Sequence, residues 1–249
     1  MKKPNGGVRA ARDSDIPIIE AWLPPDGDTL AMNWNTTKRV YRQDGMLVWE
    51  DATSQEPVAY FWGTLNTTDS ILEVHPRQKS KGIGRAFVEH LLELSRSNGE
   101  PLLEIEAAPP SSETFWVKMG FEFPGDKRAQ RIGRRMLNLP QPLPDGPRLE
   151  VRVSFFHETA LYAVEQRHPA LAEYVLFGAH DVNGAIVLSE KVACFSLEGG
   201  RDLAVRVEVE GRTVYFDKAK YPEGKALGVT RCENGYAISA VTVRIPESS

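Results

Sequence analysis

Leu72-Glu73-Val74-His75-Pro76-Arg77-Gln78-Lys79-Ser80-Lys81-Gly82-Ile83-Gly84-Arg85-Ala86 is the stretch whose reading decides the fold. With Ile71, its first residues make a short apolar run that reads as a strand over 71–74, and Pro76 ends it. A basic loop follows. From Ile83 onward, Phe87, Leu91 and Leu94 recur at helical spacing, and Asn98-Gly99 with Pro101 closes the helix. A helix N-terminus presents unpaired N–H groups and a partial positive charge. Gly82 and Gly84 remove the Cβ atoms that would keep a phosphate from the backbone. Arg77, Lys79, Lys81 and Arg85 add positive charge at the same place. A pyrophosphate can sit here, although a tight turn with solvated cations explains the stretch equally well.

The surroundings add order. Residues 8–10 read as a strand, and Asp13 or Ser14 can cap a helix through Ile16, Ile19 and Trp22, with Pro17 in its first turn. Pro24-Pro25-Asp26-Gly27 stops that helix. Residues 28–42 show no clear pattern. Residues 46–50 and 58–65 read as a hairpin around the polar turn 51–56. After the basic loop and its helix come a strand over 102–105, a short helix capped by Ser111 or Ser112 and ending at Met119-Gly120, and strands over 121–123 and 132–139.

Val74 through Ala86 resembles the coenzyme A motif of the GNAT N-acetyltransferase superfamily. Phe115-Trp116-Val117-Lys118-Met119-Gly120-Phe121 resembles that family's later motif, an aromatic pair followed by a Gly-Phe turn. Element order agrees, and the resemblance covers residues 8–139. It implies a mixed, mainly antiparallel α/β sheet flanked by helices, with acetyl-coenzyme A as cosubstrate and a primary amine, on a small molecule or a protein, as acceptor. It further implies that N–H groups of Lys79, Ser80, Lys81, Gly82, Ile83 and Gly84 hold the pyrophosphate, with Arg85 adding charge. The pantetheine arm would lie along Leu72, Val74 and His75, and Trp116 and Lys118 would flank the cofactor. A backbone N–H near Val74 would meet the thioester oxygen.

The same resemblance places Glu104 where one branch of the family has its base, and Trp34 in the segment that shapes the acceptor pocket, near Asp26, Asp28 and Asn33. Glu73 alternates with Leu72 and Val74 and is expected to point away from the thioester. Three positions depart from the family. Lys79 stands where Arg or Gln is common, Pro109 where Asn is common, and Trp116 where a Tyr often protonates the leaving thiolate. Indole N–H is a donor but not a usable acid. A coenzyme A sensor without catalysis is therefore the alternative to an enzyme.

Four prolines fall within residues 140–147, which read as a linker between a domain over 1–139 and a smaller β-rich domain over 148–249. In the latter, Leu149, Val151, Val153 and Phe155 alternate with polar residues, as do Leu203, Val205, Val207 and Val209. Glu210-Gly211 and Asn234-Gly235 read as hairpin turns, the second leading a strand over 236–245. Residues 157–174 are expected to carry helical turns. No family resemblance covers this half, whose expected role is to close the pocket, recruit a substrate or dimerise.

The chain has 249 residues, 41% apolar and 26% charged, with a formal charge of −4. That balance argues against generic affinity for nucleic acid or an anionic membrane. It also argues against an acetyltransferase acting on aminoacyl-tRNA, expected to be short and basic. Cys194 and Cys232 are too few for a disulfide framework, no residues show metal-ligand spacing, and no apolar run spans a membrane. With no signal-peptide pattern at the start, a cytoplasmic location is expected. No metal is expected, and a homodimer is left open.

Overall fold

The computed structural model describes residues 4–22, 29–43, 45–124, 131–162, 168–196 and 202–243. They group into two compact units, one formed by Met1–Asn98 and Glu104–Arg134, the other by Gly99–Leu103 and Arg135–Ser249. This division is less linear than a cut at the proline-rich segment. Pro140 is itself in a strand, β7 (Leu139–Pro140), and Gln141 donates its N–H to Ser189 O at 2.8 Å. The expected linker is thus tied, at its start, into the second unit's sheet.

The first unit is mixed α/β, as the sequence predicts. A four-stranded antiparallel sheet runs β1 (Gly6–Ala10), β2 (Met46–Asp51), β3 (Pro57–Trp62), β4 (Ile71–Val74) in that spatial order. β2 and β3 form the expected hairpin, with Met46 opposite Trp62. Its turn is held by Asp51, whose Oδ1 accepts from the N–H groups of Thr53 (3.0 Å) and Ser54 (2.9 Å). β3 stops at Trp62, short of the expected 58–65. Gly63 has φ +92°, and a Cβ there would lie 2.8 Å from Ser70 Cβ, so the chain must turn out of the sheet.

Helices cover both faces. On one face lies α3 (Ile83–Ser97), whose Ile83, Phe87, Val88, Leu91 and Leu92 are buried as one stripe. Phe87 meets Phe61 and Trp49 at ring separations of 6.4 and 6.3 Å. On the other face lie α1 (Asp15–Glu20) and α2 (Thr29–Tyr41), which turns the patternless residues into a helix. Ile19, Trp34, Met46, Val48 and Tyr60 form the core there. A two-stranded sheet pairs β5 (Leu102–Glu106) with β6 (Ile132–Met136), and α4 (Glu113–Lys118) lies between them in sequence. Ser14 and Ser112 hold the N-cap positions of α1 and α4 but make no side-chain cap bond.

Instead, α1 is fixed to the sheet by charge. Arg9 reaches both Asp15 oxygens, at 2.6 and 2.9 Å, and Glu50 Oε2 at 2.5 Å, and the Arg12 N–H adds a bond to Asp15 at 2.7 Å. Forked pairs of this kind set orientation as well as energy.

The second unit is β-rich. Its eight-stranded sheet follows the order β12 (Arg212–Lys218), β11 (Leu203–Val209), β8 (Leu149–His157), β9 (Ala172–His180), β10 (Ile186–Phe195), β14 (Gly235–Val241), β13 (Val229–Cys232), with β7 on β10. The predicted turn at Glu210-Gly211 has positive φ at both residues (49° and 74°), as a primed hairpin turn requires. Cys232 pairs with Gly235, so the second hairpin turns at Glu233-Asn234. Among the described residues of 157–174, a single 3₁₀ turn, Glu158–Leu161, answers to the expected helical turns, and β9 begins at Ala172. A short helix, α5 (Pro222–Leu227), packs beside Val229. Val151, Val153, Phe155, Leu188, Val205, Val207 and Ile238 make the core. Leu102 packs with Ala193 and Ala237, which explains why residues 99–103 group here. Among the described residues no helix is long and apolar enough to cross a membrane.

Asp15 links this fold to pH. Burial pushes its carboxyl up, but hydrogen bonds from Arg9 and from the Arg12 N–H outweigh that and hold it below the usual range. A depressed folded value means stabilisation that is complete above the ordinary Asp value of about 4 and is lost as pH falls through the lower folded value. Asp15→Asn is expected to cost about 3 kcal/mol at neutral pH, since it breaks one side of a buried pair. It should also flatten the acid limb of urea-unfolding stability against pH.

Candidate functional site

The head of α3, the end of β4 and the ring of Phe115 converge. A Cβ on Gly84 would lie 3.4 Å from Val74 Cγ2 and 3.6 Å from Phe115 Cε2. The loop between β4 and α3 makes one 3₁₀ turn, Pro76–Gln78, capped by His75, whose Nδ1 accepts from the Arg77 N–H at 3.1 Å. Ser80 (φ 65°) and Gly82 (φ 85°) then take left-handed conformations that throw the chain into the helix. Gly82 is the N-cap and carries no side chain to cap with. The first intrahelical bond runs from Ala86 N–H to Gly82 O, so the N–H groups of Ile83, Gly84 and Arg85 have no partner within the helix. An anion is the natural complement of three such donors at a positive helix end.

Around this head stand the expected cations. Lys81 Nζ donates to Gln78 Oε1 at 2.8 Å, and Arg85 pairs with Glu89 at 3.3 Å. Lys79 Nζ lies 2.9 Å from Glu73 Oε1. The two form an ion pair, and Oε1 is buried with no other polar partner.

β4 provides an open edge leading to the loop. It pairs with β3 only, with Tyr60 opposite Glu73 and Ala59 opposite Val74. His75 N–H donates to Val58 O at 2.9 Å, so in antiparallel alternation the backbone groups of Glu73 and Ile71 also face β3. Those of Leu72 and Val74 face outward. Among the described residues no strand occupies that edge. Extended ligands bind such edges by adding a strand.

The opposite face of β4 carries different chemistry. Glu73 shares its face with Tyr60 and Trp62, under α1 and α2. Tyr60 is buried, and burial together with the Glu73 charge pushes its phenol well up, so it stays a hydrogen-bond donor. The Trp22 ring packs edge-on to His75 at 4.9 Å and near Tyr60 at 6.5 Å. Burial, then the nearby Arg77, hold His75 below its usual range, so its imidazole is neutral.

Leu72, Val74, His75 and the loop from Lys79 to Arg85 thus come together, and other expected residues are occupied elsewhere. Trp34 is a core residue, 5% exposed, whose indole N–H donates to Glu20 Oε1 at 2.8 Å. Asn33 is exposed on α2, and Asp26 and Asp28 lie outside the described residues. Glu104 meets Arg134 Nε at 2.9 Å. Trp116 is buried between Phe121 and Phe115, at ring separations of 5.3 and 5.1 Å, and Lys118 is exposed. The sequence reading has Phe115 in a motif and Trp22 on the first helix without assigning either to the site, leaves Tyr60 within a strand, and sets Glu73 aside. Its alternation argument for Glu73 holds, but only the hairpin register shows that Tyr60 lies opposite.

No family model matches the chain, and no curated protein matches it. Solved structures match about half of it. A GNAT family acetyltransferase from Listeria monocytogenes is 13% identical, with 53% of this chain and 95% of that chain covered and a TM-score of 0.41. A GNAT family N-acetyltransferase from Escherichia coli, in complex with CoA, is 17% identical, with 54% and 83% covered and a TM-score of 0.41. A GNAT family acetyltransferase from Staphylococcus aureus is 12% identical, with 53% and 98% covered and a TM-score of 0.37. The chemistry of the site is read from its own residues.

The contacts at Gly84 test this geometry directly. A methyl group fits at ordinary contact distance, so Gly84→Ala should be neutral or stabilise by up to about 1 kcal/mol, the helix gain over glycine. Gly84→Leu must displace Val74 or Phe115 and should cost about 1–3 kcal/mol. Urea-unfolding midpoints of the two variants give the order.

Proposed function

We propose that the first unit binds acetyl-coenzyme A at the head of α3 and along the open edge of β4, and transfers the acetyl group to a primary amine. The observation that carries this reading is the alignment of three unpartnered helix N–H groups with an unpaired strand edge. A pyrophosphate suits the first, and the amide-bearing pantetheine arm suits the second. The outward N–H of Val74 is then the donor for the thioester oxygen as it gains charge. The amine nitrogen attacks the carbonyl carbon, the C–S bond breaks, coenzyme A leaves as thiolate, and the amine loses its proton to a base. The two cysteines, Cys194 and Cys232, belong to the other unit, and in this reading the attack is direct, in a ternary complex with no covalent enzyme intermediate.

Glu104 has another occupation in this reading, as the partner of Arg134 across β5 and β6. Glu104→Gln is expected to leave turnover within about threefold of wild type. A fall of about a hundredfold or more, the usual contribution of a general base, would restore it to that role.

Calorimetry with acetyl-coenzyme A tests binding. Gly82→Glu should abolish it, because a side chain and a negative charge then enter the anion seat at a φ of 85° that favours glycine. Unchanged affinity would remove the pyrophosphate assignment. Thiol release over a panel of amines tests transfer. The protein's own thiols should contribute little to that signal, since burial pushes Cys194 up to about 12 and also raises Cys232, and only a thiolate attacks a thiol reagent readily. Trp116, buried and without an acidic hydrogen, favours a second reading as a coenzyme A sensor. Binding without thiol release from any amine is its signature.

A further inference from the structure

Glu73 and Lys79 carry a coupling that the cofactor reading alone does not contain. Glu73 leaves β4 on the α1–α2 face, opposite Tyr60, with its side chain only 17% exposed. Its Oε1 has Lys79 Nζ 2.9 Å away and no hydrogen-bond partner. Lys79, by contrast, belongs to the loop that leads into the head of α3, and its side chain is 57% exposed. The ammonium thus meets an anion fixed in the fold, while its stem springs from the loop that leads to the proposed anion seat. Arg134, the partner of Glu104, lies on β6, outside that loop.

We propose that Lys79 is a shared cation: without cofactor it covers the Glu73 carboxylate, and pyrophosphate binding draws it away. This rests on the coenzyme A reading above. A pyrophosphate at the α3 head offers Lys79 more negative charge than one carboxylate does. Lys79 is a point charge on a flexible four-carbon stem, so it can turn from one partner to the other without backbone change. Its departure uncovers a carboxylate on the face of β4 opposite Val74, beside Tyr60 and close to His75 and Trp22. The acceptor side of the sheet thus acquires a negative charge only when the acetyl donor is in place. By linkage, whatever Glu73 does to hold Lys79 must weaken the cofactor by the same factor.

The test is a double-mutant cycle on coenzyme A affinity, measured by calorimetry with the full chain: wild type, Glu73→Gln, Lys79→Met and the double variant. A pair as exposed as this one is expected to hold Lys79 by a factor of about two to five. Glu73→Gln should therefore tighten coenzyme A by about that factor when Lys79 is present. Removing the Glu73 charge also lowers general repulsion of the pyrophosphate, and the Lys79→Met background measures that part alone. An excess tightening in the Lys79 background supports the shared cation. Equal tightening in both backgrounds overturns it, and so does weaker binding in Glu73→Gln, which would mean that Lys79 bridges both anions at once. Glu73→Asp keeps the charge but shortens the reach, and should also tighten coenzyme A. That variant decides the matter if Glu73→Gln fails to fold. Absence of coenzyme A binding by the wild type overturns both this proposal and the reading beneath it, whereas a flat cycle with wild-type binding intact overturns the coupling alone.

Discussion

Among the described residues β4 has a neighbour on one edge only, and the arrangement of the first unit follows from that. A paired strand spends its backbone donors and acceptors inside the sheet; β4 keeps those of Leu72 and Val74 free. Unpaired edges are hazards that folded proteins shorten, cover or use. Here the edge is four residues long, and the left-handed turns at Ser80 and Gly82 put a helix head immediately beyond it. Strand edge and helix head are two kinds of unspent backbone hydrogen bonding. Their junction suits a ligand that is amide-bearing at one end and anionic at the other.

The two faces of the sheet divide the remaining labour. Phe87 of α3 fills the face of Phe61 and Trp49, which fixes where the helix head points. The Arg9, Asp15 and Glu50 network anchors α1 on the opposite face, and just beyond that helix Trp22 reaches His75. Both faces are secured by apolar burial, and the α1 side carries a forked ion pair in addition. That difference makes the α1 side the one whose integrity depends on pH.

The head of α3 and the hairpins were legible in the sequence because their signals are local. Gly82, Gly84 and the surrounding cations announce a helix head. Val151, Val153 and Phe155, and Glu210-Gly211, announce strands and a turn. β9 was not legible because its outward positions are apolar too: Val175 and Phe177 are 56% and 62% exposed, so no alternation survives. α2 shows no apolar stripe in its sequence, and packing against Tyr60 rather than propensity holds it. Side-chain partnerships were beyond reach for a different reason. That Glu104 meets Arg134 and Trp34 meets Glu20 depends on register and on crossings between separate elements, and that Glu73 meets Lys79 depends on the course of the loop between them. Leu102 shows the same limit at larger scale, since its packing on Ala193 and Ala237 assigns a short segment to a unit whose other strands lie beyond residue 134.

Trp116 raises the question of what the chemistry at such a site requires. An indole cannot protonate a leaving thiolate. The need for a proton is modest, however, because a thiol of ordinary acidity, with a pKa of about 8.5, departs readily as its anion near neutral pH. The harder demands are to place a neutral amine against the carbonyl and to stabilise the oxygen that gains charge. The first is a problem of position, and Phe115 and Val74 both lie close to Gly84, at the junction of β4 and the head of α3. The second falls to a backbone N–H fixed by the sheet. Both are met by parts of the fold that substitution of one aromatic residue leaves in place. Loss of an acid at residue 116 would therefore bear less on such a transfer than would misplacement of the amine or of that N–H.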